Sequence, residues 1–261
     1  MKVAILCGGR GTRLREVNDL IPKPMVPIGN KPILWHIMKI YGSHGFHDFV
    51  LLLGYKGDAI REFFLNFSAH TRDFTIDLSR TDAGRIFFEE TPSEPWRVTL
   101  ADTGEDAMTG ARLWRARRYL ADTDIFMCTY GDGVGDVDVS RLLEFHRSHG
   151  KVATLTGVQP PGRFGELQIA SGHVRNFNEK PQVAGGCING GFFVFSREFC
   201  DRYLNDREDL VLEREPLAQL VSDGQLMAYR HEGFWQPMDT PREYQLLNDL
   251  WSSGKAPWKN W

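Results

Sequence analysis

The sequence predicts an α/β fold with three layers, a Rossmann-like arrangement in which a mixed, mostly parallel sheet is flanked by helices. Residues 3–7 form a short apolar run that stops at paired glycines, as a buried parallel strand does before a tight turn. Helical spacing over 32–45, a strand-like run over 48–54 and helical spacing over 58–67 then complete a βαβα unit. With 261 residues and 42% hydrophobic content, the chain can fill one core. We therefore expect a single domain over 1–261.

The remaining elements follow from the same periodicities, with one interruption. Short β-like runs at 74–76, 86–88 and 98–100, joined by polar and proline-bearing segments, predict a small β-rich insertion or lid over about 71–102. Further on, the pattern predicts strands at 125–130 and 152–158, a hairpin at 167–169 and 174–177, and helices at 109–120, 139–149, 197–204, 214–222 and 241–253. The last three helices form a C-terminal helical elaboration, and the tryptophans that follow them suggest a docking surface.

Charge and cysteine content exclude several classes of protein. A net charge of -3 and a pI near 6.2 provide no bulk attraction to nucleic acid or to an anionic membrane. The four cysteines contain no CxxC pair, which indicates a reducing compartment. No apolar run approaches membrane-spanning length, and the apolar start is too short for a secretion signal. We expect a cytoplasmic protein with no nucleic-acid or membrane partner.

The loop after the first strand is the first candidate site. Gly8, Gly9 and Gly11 allow backbone N–H groups to approach a ligand closely, as in loops that cradle phosphate oxygens. Thr12 adds a hydroxyl, and Arg13 adds a planar cation that can bind two phosphate oxygens. The spacing matches neither a dinucleotide fingerprint nor a GxxxxGK[ST] loop. A plain tight turn would explain one or two of these glycines.

Two acidic residues predict a metal site near that loop. Asp132 follows the strand at 125–130, between Gly131 and Gly133, where ligands gather outside the strand ends of α/β sheets. A carboxylate beside bound phosphates requires a cation between them, so we infer Mg²⁺. Asp239 is a second candidate ligand. The proline-rich segment that contains Lys23 should return over the glycines, although a lysine there is also typical of a solvated surface.

Several other motifs allow two interpretations. The helix that opens at Thr109 can bind an anion at its N-terminus or can simply be capped by that threonine. Glu179 and Lys180 can meet a sugar and a phosphate only if Pro181 bends the chain. The pair Asp136 and Asp138 has the Asp-x-Asp form of nucleotide-sugar glycosyltransferases, yet it follows the glycine turn instead of ending the strand.

Together, six motifs resemble those of the sugar-1-phosphate nucleotidylyltransferase family in matching order. They are Gly-Gly-x-Gly-Thr-Arg-Leu at 8–14, Lys-Pro at 23–24, Gly-Asp-Gly at 131–133, Glu-Lys-Pro at 179–181, Asn-Gly-Gly at 189–191 and Met-Asp-Thr at 238–240. Further stretches at 32–39, 95–96, 130–134, 160–165, 233–240 and 254–259 most resemble the cytidylyltransferase branch of that family. The segment 71–93 matches poorly, as do Cys7 and Arg10.

The resemblance implies a role for each matched residue. Nucleotide binding is implied for Leu6, Gly8, Gly9, Arg10, Gly11, Thr12, Thr103, Arg112 and Gly131, and a catalytic role for Arg13, Lys23 and Asp132. Sugar-phosphate binding, within about 160–195, is implied for Gly165, Glu179, Lys180, Asn189, Gly190 and Gly191. Asp132 and Asp239 would bind Mg²⁺. The implied substrates are CTP and glucose 1-phosphate, joined by in-line displacement without a protein nucleophile, and the implied assembly is a homo-oligomer.

Three alternatives remain open from the sequence. The same chemistry could use UTP, dTTP or another sugar 1-phosphate, because base choice depends on a few backbone contacts. A nucleotide-sugar-dependent glycosyltransferase would share the α/β sheet and the metal-binding acids. A non-catalytic regulatory homologue should have lost Arg13, Lys23, Asp132 or Asp239, and all four are present.

Overall fold

The computed structural model describes residues 1–9, 21–77, 79, 85–88, 94–160, 166–170, 173–178 and 186–261. Its strands are β1 (Lys2–Leu6), β2 (Pro27–Ile28), β3 (Lys31–Pro32), β4 (Asp48–Leu53), β5 (Phe74–Asp77), β6 (Arg85–Phe88), β7 (Arg97–Asp102), β8 (Ile125–Tyr130), β9 (Gly133–Gly135), β10 (Ala153–Val158), β11 (Glu166–Ala170), β12 (His173–Asn178), β13 (Ile188–Ser196), β14 (Leu226–His231) and β15 (Trp235–Pro237). Its α-helices are α1 (Ile33–Ser43), α2 (Gly57–Leu65), α3 (Phe67–Thr71), α4 (Thr109–Ala116), α5 (Val139–His149), α6 (Glu198–Tyr203), α7 (Glu215–Ser222) and α8 (Pro241–Ser252). Short 3-10 helices occupy Lys23–Met25 and Arg117–Tyr119.

Seven of these strands form the central sheet, in the order β14-β10-β13-β8-β1-β4-β7. Six run in one direction, while β13 is antiparallel to both of its neighbours, β8 and β10. The prediction of a mixed, mostly parallel sheet is confirmed. All the parallel strands therefore end at one edge of the sheet, and β13 begins at that same edge.

Helices cover both faces of the sheet, because successive side chains of a strand point to opposite faces. Along β1, Val3 and Ile5 belong to one buried cluster with residues of α1, α5 and α8. Ala4 and Leu6 belong to a second cluster with residues of α4, α6 and α7. The three-layer arrangement is thus confirmed, and β1 lies inside the sheet, between β8 and β4.

The predicted insertion needs one correction. The run at 98–100 lies in β7, which pairs in parallel with β4 from Asp48–Arg97 to Leu53–Asp102 and forms an edge of the central sheet. Only β5 and β6 stand apart, as a hairpin whose two strands pair with each other. As an edge strand, β7 has a neighbouring strand on one side only, and its side chains are mostly half-buried. Its sequence pattern therefore resembles that of a hairpin strand. The predicted hairpin at 167–177 is confirmed as β11 and β12.

The C-terminal segment packs inward, so the suggestion of a docking surface there is wrong for Trp258. That side chain is fully buried, and its Nε1 donates to Nδ1 of His36 at 3.4 Å. The Nε2 of His36 in turn lies 3.0 Å from the carbonyl oxygen of Ile28. One neutral imidazole therefore joins α1, β2 and the end of the chain. No helix in the described part of the chain is both long and apolar enough to cross a membrane.

His36 makes the stability of this fold sensitive to acid. Burial lowers the pKa of His36 from 6.5 to about 4. Between those values the unfolded chain binds a proton that the folded chain does not, so the free energy of unfolding decreases as the pH falls from 6.5 to 4. Over the whole interval we expect a loss of up to about 3 kcal/mol from this residue.

Thermal unfolding of the wild type and of His36→Gln between pH 7.5 and 4 tests this expectation. Gln retains an N–H donor but does not titrate. The Tm of His36→Gln should therefore lie below that of the wild type at pH 7.5, and the difference between the two should decrease as the pH falls. Some acid sensitivity should persist in the variant, because burial also lowers the pKa of His146 to about 4. The exposed His70 supplies the control, His70→Gln. A constant gap between wild type and His36→Gln at every pH would contradict the assignment.

Candidate active site

The candidate site lies where the parallel strands of the sheet end. The backbone N–H of Gly131, just after β8, donates to the carbonyl oxygen of Leu6 at 3.0 Å, which joins the ends of β8 and β1. A Cβ at position 131 would lie 2.9 Å from that oxygen and 3.1 Å from Cγ of Pro24. Glycine is therefore needed here because three segments meet without room for a side chain.

A short ribbon brings the two predicted acidic residues together. Strands β9 and β15 pair antiparallel, with Gly133 opposite Pro237, and the N–H of Met238 donates to the carbonyl oxygen of Asp132 at 2.8 Å. Asp239 follows directly and is held at the start of α8. There, Oε2 of Glu243 accepts from the N–H groups of Asp239 and Thr240 at 2.8 and 2.9 Å in a capping box.

Lys23 links these two carboxylates. Its Nζ donates to Oδ2 of Asp132 at 2.6 Å and also to Oδ1 of Asp239. The lysine side chain is only 11% exposed, whereas the two aspartates retain 35% and 29% exposure. Burial lowers the pKa of Lys23, but the two carboxylates outweigh it and raise that pKa above its usual value. The ammonium is therefore charged, and it neutralises part of the negative charge at the site.

The two aspartates fit a divalent cation. Because one ammonium contacts both carboxylates, their oxygens converge on a single point. Two carboxylates with water and phosphate oxygens make the oxygen-only environment that Mg²⁺ prefers. No third acidic, histidine or cysteine ligand joins them among the described residues, so those residues alone make an incomplete shell. Such a shell leaves positions open for substrate oxygens.

Arg112 lies beneath the glycine loop and is almost fully buried. Its Nη1 lies 3.0, 3.0 and 2.7 Å from Leu53 O, Thr103 Oγ1 and Gly104 O, and its Nη2 lies 3.0 Å from both Gly8 O and Glu105 O. The Thr103 hydroxyl donates to the carbonyl oxygen of Leu53 at 2.6 Å. These contacts fix the end of β1 against the ends of β4 and β7.

Two glycines make room for this guanidinium. A Cβ at Gly8 would lie 2.2 Å from Cζ of Arg112, and one at Gly54 would lie 2.1 Å from its Nη1. No described residue lies within 4 Å of a Cβ placed at Gly9. The first glycine of the motif is therefore required by the buried arginine, whereas the described residues place no such requirement on the second. That both bind nucleotide stays a prediction, as it does for Thr103 and Arg112.

Two adjoining cavities open at this edge of the sheet. The first, about 230 Å³, is lined by the glycine loop, Lys23, Arg112 and the start of α4, and the second, about 280 Å³, by Asn189, Gly190, Trp235 and Asp239. Tyr130 and Asp132 line both. A larger groove of about 880 Å³ lies between α4 and α6, but it contains only Thr103 of the predicted site residues. We place the site in the paired cavities, where the predicted residues converge.

The Asn-Gly-Gly motif forms the far wall of the second cavity. Gly191 has φ +79°, and a Cβ there would lie 2.4 Å from the ring of Tyr130. Oδ1 of Asn189 accepts from the N–H of Gly191 at 2.9 Å, and its Nδ2 donates to the Tyr130 hydroxyl at 3.2 Å. The carbonyl of Gly190 accepts from Nε1 of Trp235 at 2.7 Å. The motif thus places one oriented amide beside the cavity.

Several predicted residues cannot be placed. Outside the described residues lie Arg10, Gly11, Thr12, Arg13, Gly165, Glu179 and Lys180. Of the predicted site residues that are described, the structure brings together Leu6, Gly8, Gly9, Lys23, Thr103, Arg112, Gly131, Asp132, Asn189, Gly190, Gly191 and Asp239 around the two cavities or directly beneath them. The roles of all these residues stay predictions.

Sequence reasoning missed two residues at the site and left one motif ambiguous. Tyr130 lines both cavities, and its position before Gly-Asp-Gly at a strand end was a usable signal. Glu213 accepts a hydrogen bond from Tyr130, and no local pattern marked it. The Asp-x-Asp pair has structural partners: Asp136 lies 3.0 Å from Nε2 of His231, and Asp138 caps α5.

The contacts of Arg112 predict a large stability cost on its removal. Arg112→Met removes all five hydrogen bonds of the guanidinium, including those to the buried carbonyl oxygens of Gly8 and Leu53. Those two oxygens keep backbone N–H donors, but a hydrogen bond from a charged donor contributes about 1.5–3 kcal/mol. We expect the free energy of unfolding in urea to fall by about 3 kcal/mol or more. The control is Arg202→Met, since Arg202 makes an exposed i,i+4 ion pair with Glu198. Equal decreases in the free energy of unfolding of Arg112→Met and Arg202→Met would contradict the stabilising role of the buried contacts.

Comparison with known proteins agrees with this geometry. Residues 2–244 match the family described as Nucleotidyl transferase. The glucose-1-phosphate cytidylyltransferase of Salmonella typhimurium is 51% identical over the whole of both chains, and the probable glucose-1-phosphate cytidylyltransferase of Bacillus subtilis is 42% identical over the same extent. The crystal structure of HddC from Yersinia pseudotuberculosis is similar to this chain, with a TM-score of 0.69 and 25% sequence identity, over 96% of this chain and 99% of HddC. The complex of HddC with GMP-PN gives the same values. The chain belongs to the nucleotidyl transferase family.

Proposed function

We propose that this protein condenses CTP with glucose 1-phosphate to give CDP-glucose and pyrophosphate. The observation that carries the proposal is the convergence of Lys23, Asp132 and Asp239 at the strand ends, beside the glycine loop. The proposal is also supported by the two cytidylyltransferase relatives that match over their full length.

The reaction in this proposal is a single in-line displacement. An oxygen of the sugar phosphate attacks the α-phosphorus of CTP, and pyrophosphate leaves. The attacking phosphate is already an anion, so no protein nucleophile is needed; the protein must align two anions that repel each other and neutralise charge in the transition state. Lys23 supplies one cation from the described site. In this proposal Arg13 and Lys180 supply two more.

The binding residues divide between the two cavities. In the first, the backbone of Leu6, Gly8, Gly9 and Gly131 would contact the nucleotide, together with Arg10, Gly11 and Thr12, while Thr103 and Arg112 support the loop from below. In the second, Asn189, Gly190 and Gly191 would bind the sugar phosphate with Gly165, Glu179 and Lys180. Asp132 lies at the junction, where the attacking and attacked phosphates would meet.

Asp132 and Asp239 would hold Mg²⁺ in this proposal. When bound, the ion would neutralise phosphate charge and polarise the α-phosphoryl group. Lys23 contacts one oxygen of each carboxylate, so a divalent cation bound there would compete with its ammonium. An ammonium displaced from the aspartates would be able to contact a phosphate.

Pyrophosphate release is the direct test of the proposed function. We would supply CTP, UTP, dTTP, ATP and GTP separately with Mg²⁺, each with and without glucose 1-phosphate. Release with CTP that requires the sugar phosphate supports the proposal. Release with another nucleotide would support the same chemistry with a different base, whereas a requirement for a sugar acceptor and a nucleotide sugar would support a glycosyltransferase.

A catalytic variant completes that assay. We expect Asp132→Ala to lower turnover by about 100- to 1,000-fold, as loss of one preorganised electrostatic contact does. Asp122→Asn should retain wild-type turnover, because Asp122 pairs with Lys2 on the surface, far from both cavities. Retention of more than about a tenth of wild-type turnover by Asp132→Ala would contradict its role.

Metal binding without nucleotide offers a second test, independent of turnover. In Lys23→Met the two carboxylates lose their cation, so Mn²⁺ should bind the nucleotide-free protein at least about tenfold more tightly, or roughly 1.4 kcal/mol. The control is Lys39→Met, since Lys39 is also partly buried and paired, with Glu94 at 3.1 Å. Calorimetric titration of Mn²⁺ measures both. Unchanged or weaker binding in Lys23→Met would place the metal elsewhere.

The homo-oligomer and the cytoplasmic location expected from the sequence belong to the proposal as well. Gel filtration with light scattering measures the oligomeric state.

A further inference from the structure

Glu213 lies outside both cavities but holds two hydroxyl groups that line them: that of Tyr130, which lines both, and that of Thr109, which lines the first. It belongs to the segment before α7. Its Oε1 accepts a hydrogen bond from the hydroxyl of Tyr130, and its Oε2 accepts one from Oγ1 of Thr109 at 2.8 Å. One carboxylate therefore joins the last residue of β8 to the first residue of α4.

The backbone around Glu213 is fixed to α4. The N–H of Leu212 donates to Oγ1 of Thr109 at 2.9 Å, and the N–H of Gly110 donates to the carbonyl oxygen of Leu210 at 2.9 Å. A Cβ at Gly110 would lie 2.9 Å from both that oxygen and Cγ of Leu210, so the segment lies directly against the helix start. The position of the Glu213 carboxylate is thus set by main-chain contacts, although the residue is exposed on its outer side.

The hydrogen bonds give Tyr130 a fixed direction. A carboxylate only accepts, so the Tyr130 hydroxyl must donate its proton to Glu213. Burial, reinforced by the charge of Glu213, raises the pKa of Tyr130, so the hydroxyl stays protonated. Its oxygen is then left to accept from Nδ2 of Asn189 at 3.2 Å. Because Oδ1 of Asn189 accepts from Gly191, the orientation of the amide is determined as well.

We propose that Glu213 is a positioning residue for the sugar phosphate: through the Tyr130 hydroxyl it orients the Asn189 amide at the wall of the second cavity. One N–H of that amide is used by Tyr130, and the other is available to a sugar hydroxyl or phosphate oxygen. The inference rests on the proposed function, and it assigns a role to a residue that touches neither substrate. Glu213 also contacts Thr109 beside the first cavity, so the assay must distinguish the two substrates.

The test compares how Glu213→Ala changes the KM for glucose 1-phosphate and the KM for CTP. In Glu213→Ala we expect the KM for glucose 1-phosphate to rise about tenfold, while the KM for CTP changes less than about twofold. Glu213→Gln should restore most of the loss, because its amide oxygen can accept from Tyr130. Glu215→Ala is the matched control, since Glu215 is two residues away and pairs with Arg207 on the surface at 2.5 Å. It should match the wild type in both KM values.

A double-mutant cycle tests the route through Tyr130. Tyr130→Phe removes the same link, so Tyr130→Phe/Glu213→Ala should raise the KM for glucose 1-phosphate no more than the stronger single variant does. The inference would be overturned if the KM effects of the two single variants multiply in the double variant, or if Glu213→Ala changes both KM values equally or neither of them. If the wild type is active with CTP and glucose 1-phosphate but Glu213→Ala does not change the two KM values differently, the inference alone is wrong. If the wild type is inactive with these substrates, the proposed function is wrong and the inference with it.

Discussion

The contact on which the site depends is one lysine ammonium held between two carboxylates. Lys23, Asp132 and Asp239 are distant in sequence, and a largely buried cation is tolerated only when its partners are held firmly. Their surroundings meet that requirement on each side. Gly131 lets the loop pass close to β1, the ribbon of β9 and β15 aligns the aspartates, and a capping box fixes the second one.

A second buried cation solves the same problem in a different way. Arg112 is held by backbone carbonyl oxygens and one threonine hydroxyl, and no carboxylate of the described residues pairs with it. Neutral dipoles compensate its charge, so the guanidinium serves to gather the ends of β1, β4 and β7. The carboxylates that hold Lys23 are themselves partly exposed, so another cation can compete for them and a phosphate can compete for the ammonium. The partners of Arg112 are backbone carbonyls and a threonine hydroxyl that belong to the fold itself.

Most elements of this fold could be predicted from the sequence, because their apolar patterns were long and bounded by glycine or proline. Residues 3–7, 125–130 and 139–149 lie within one residue of the observed elements. The pairing partners could not be predicted. β7 has the same half-buried pattern as a hairpin strand, and β14 is only partly buried along its length, so their places at the sheet edges follow from tertiary contacts.

The site was predictable to the extent that its residues occupy motifs. Asp132 and Asp239 followed from their positions at strand ends, and in the structure one ammonium contacts both carboxylates, whereas their role as metal ligands stays a prediction. The ion pair with Lys23 was not foreseen, because the sequence suggested only a phosphate partner. Glu213 was invisible for a different reason: its partner Tyr130 is 83 positions away, and an acidic residue before a helix normally serves that helix.

The single antiparallel strand has a consequence for how such an enzyme can diversify. β13 enters the sheet at the edge where its neighbours leave, so the connection from β10 to β13 begins and ends beside the second cavity. Residues 159–187 can therefore lengthen, shorten or change sequence without altering the route of the chain through the sheet. In the proposed function the second cavity receives the sugar phosphate, so selection on acceptor preference would act on this connection, separately from selection on the core and on the first cavity.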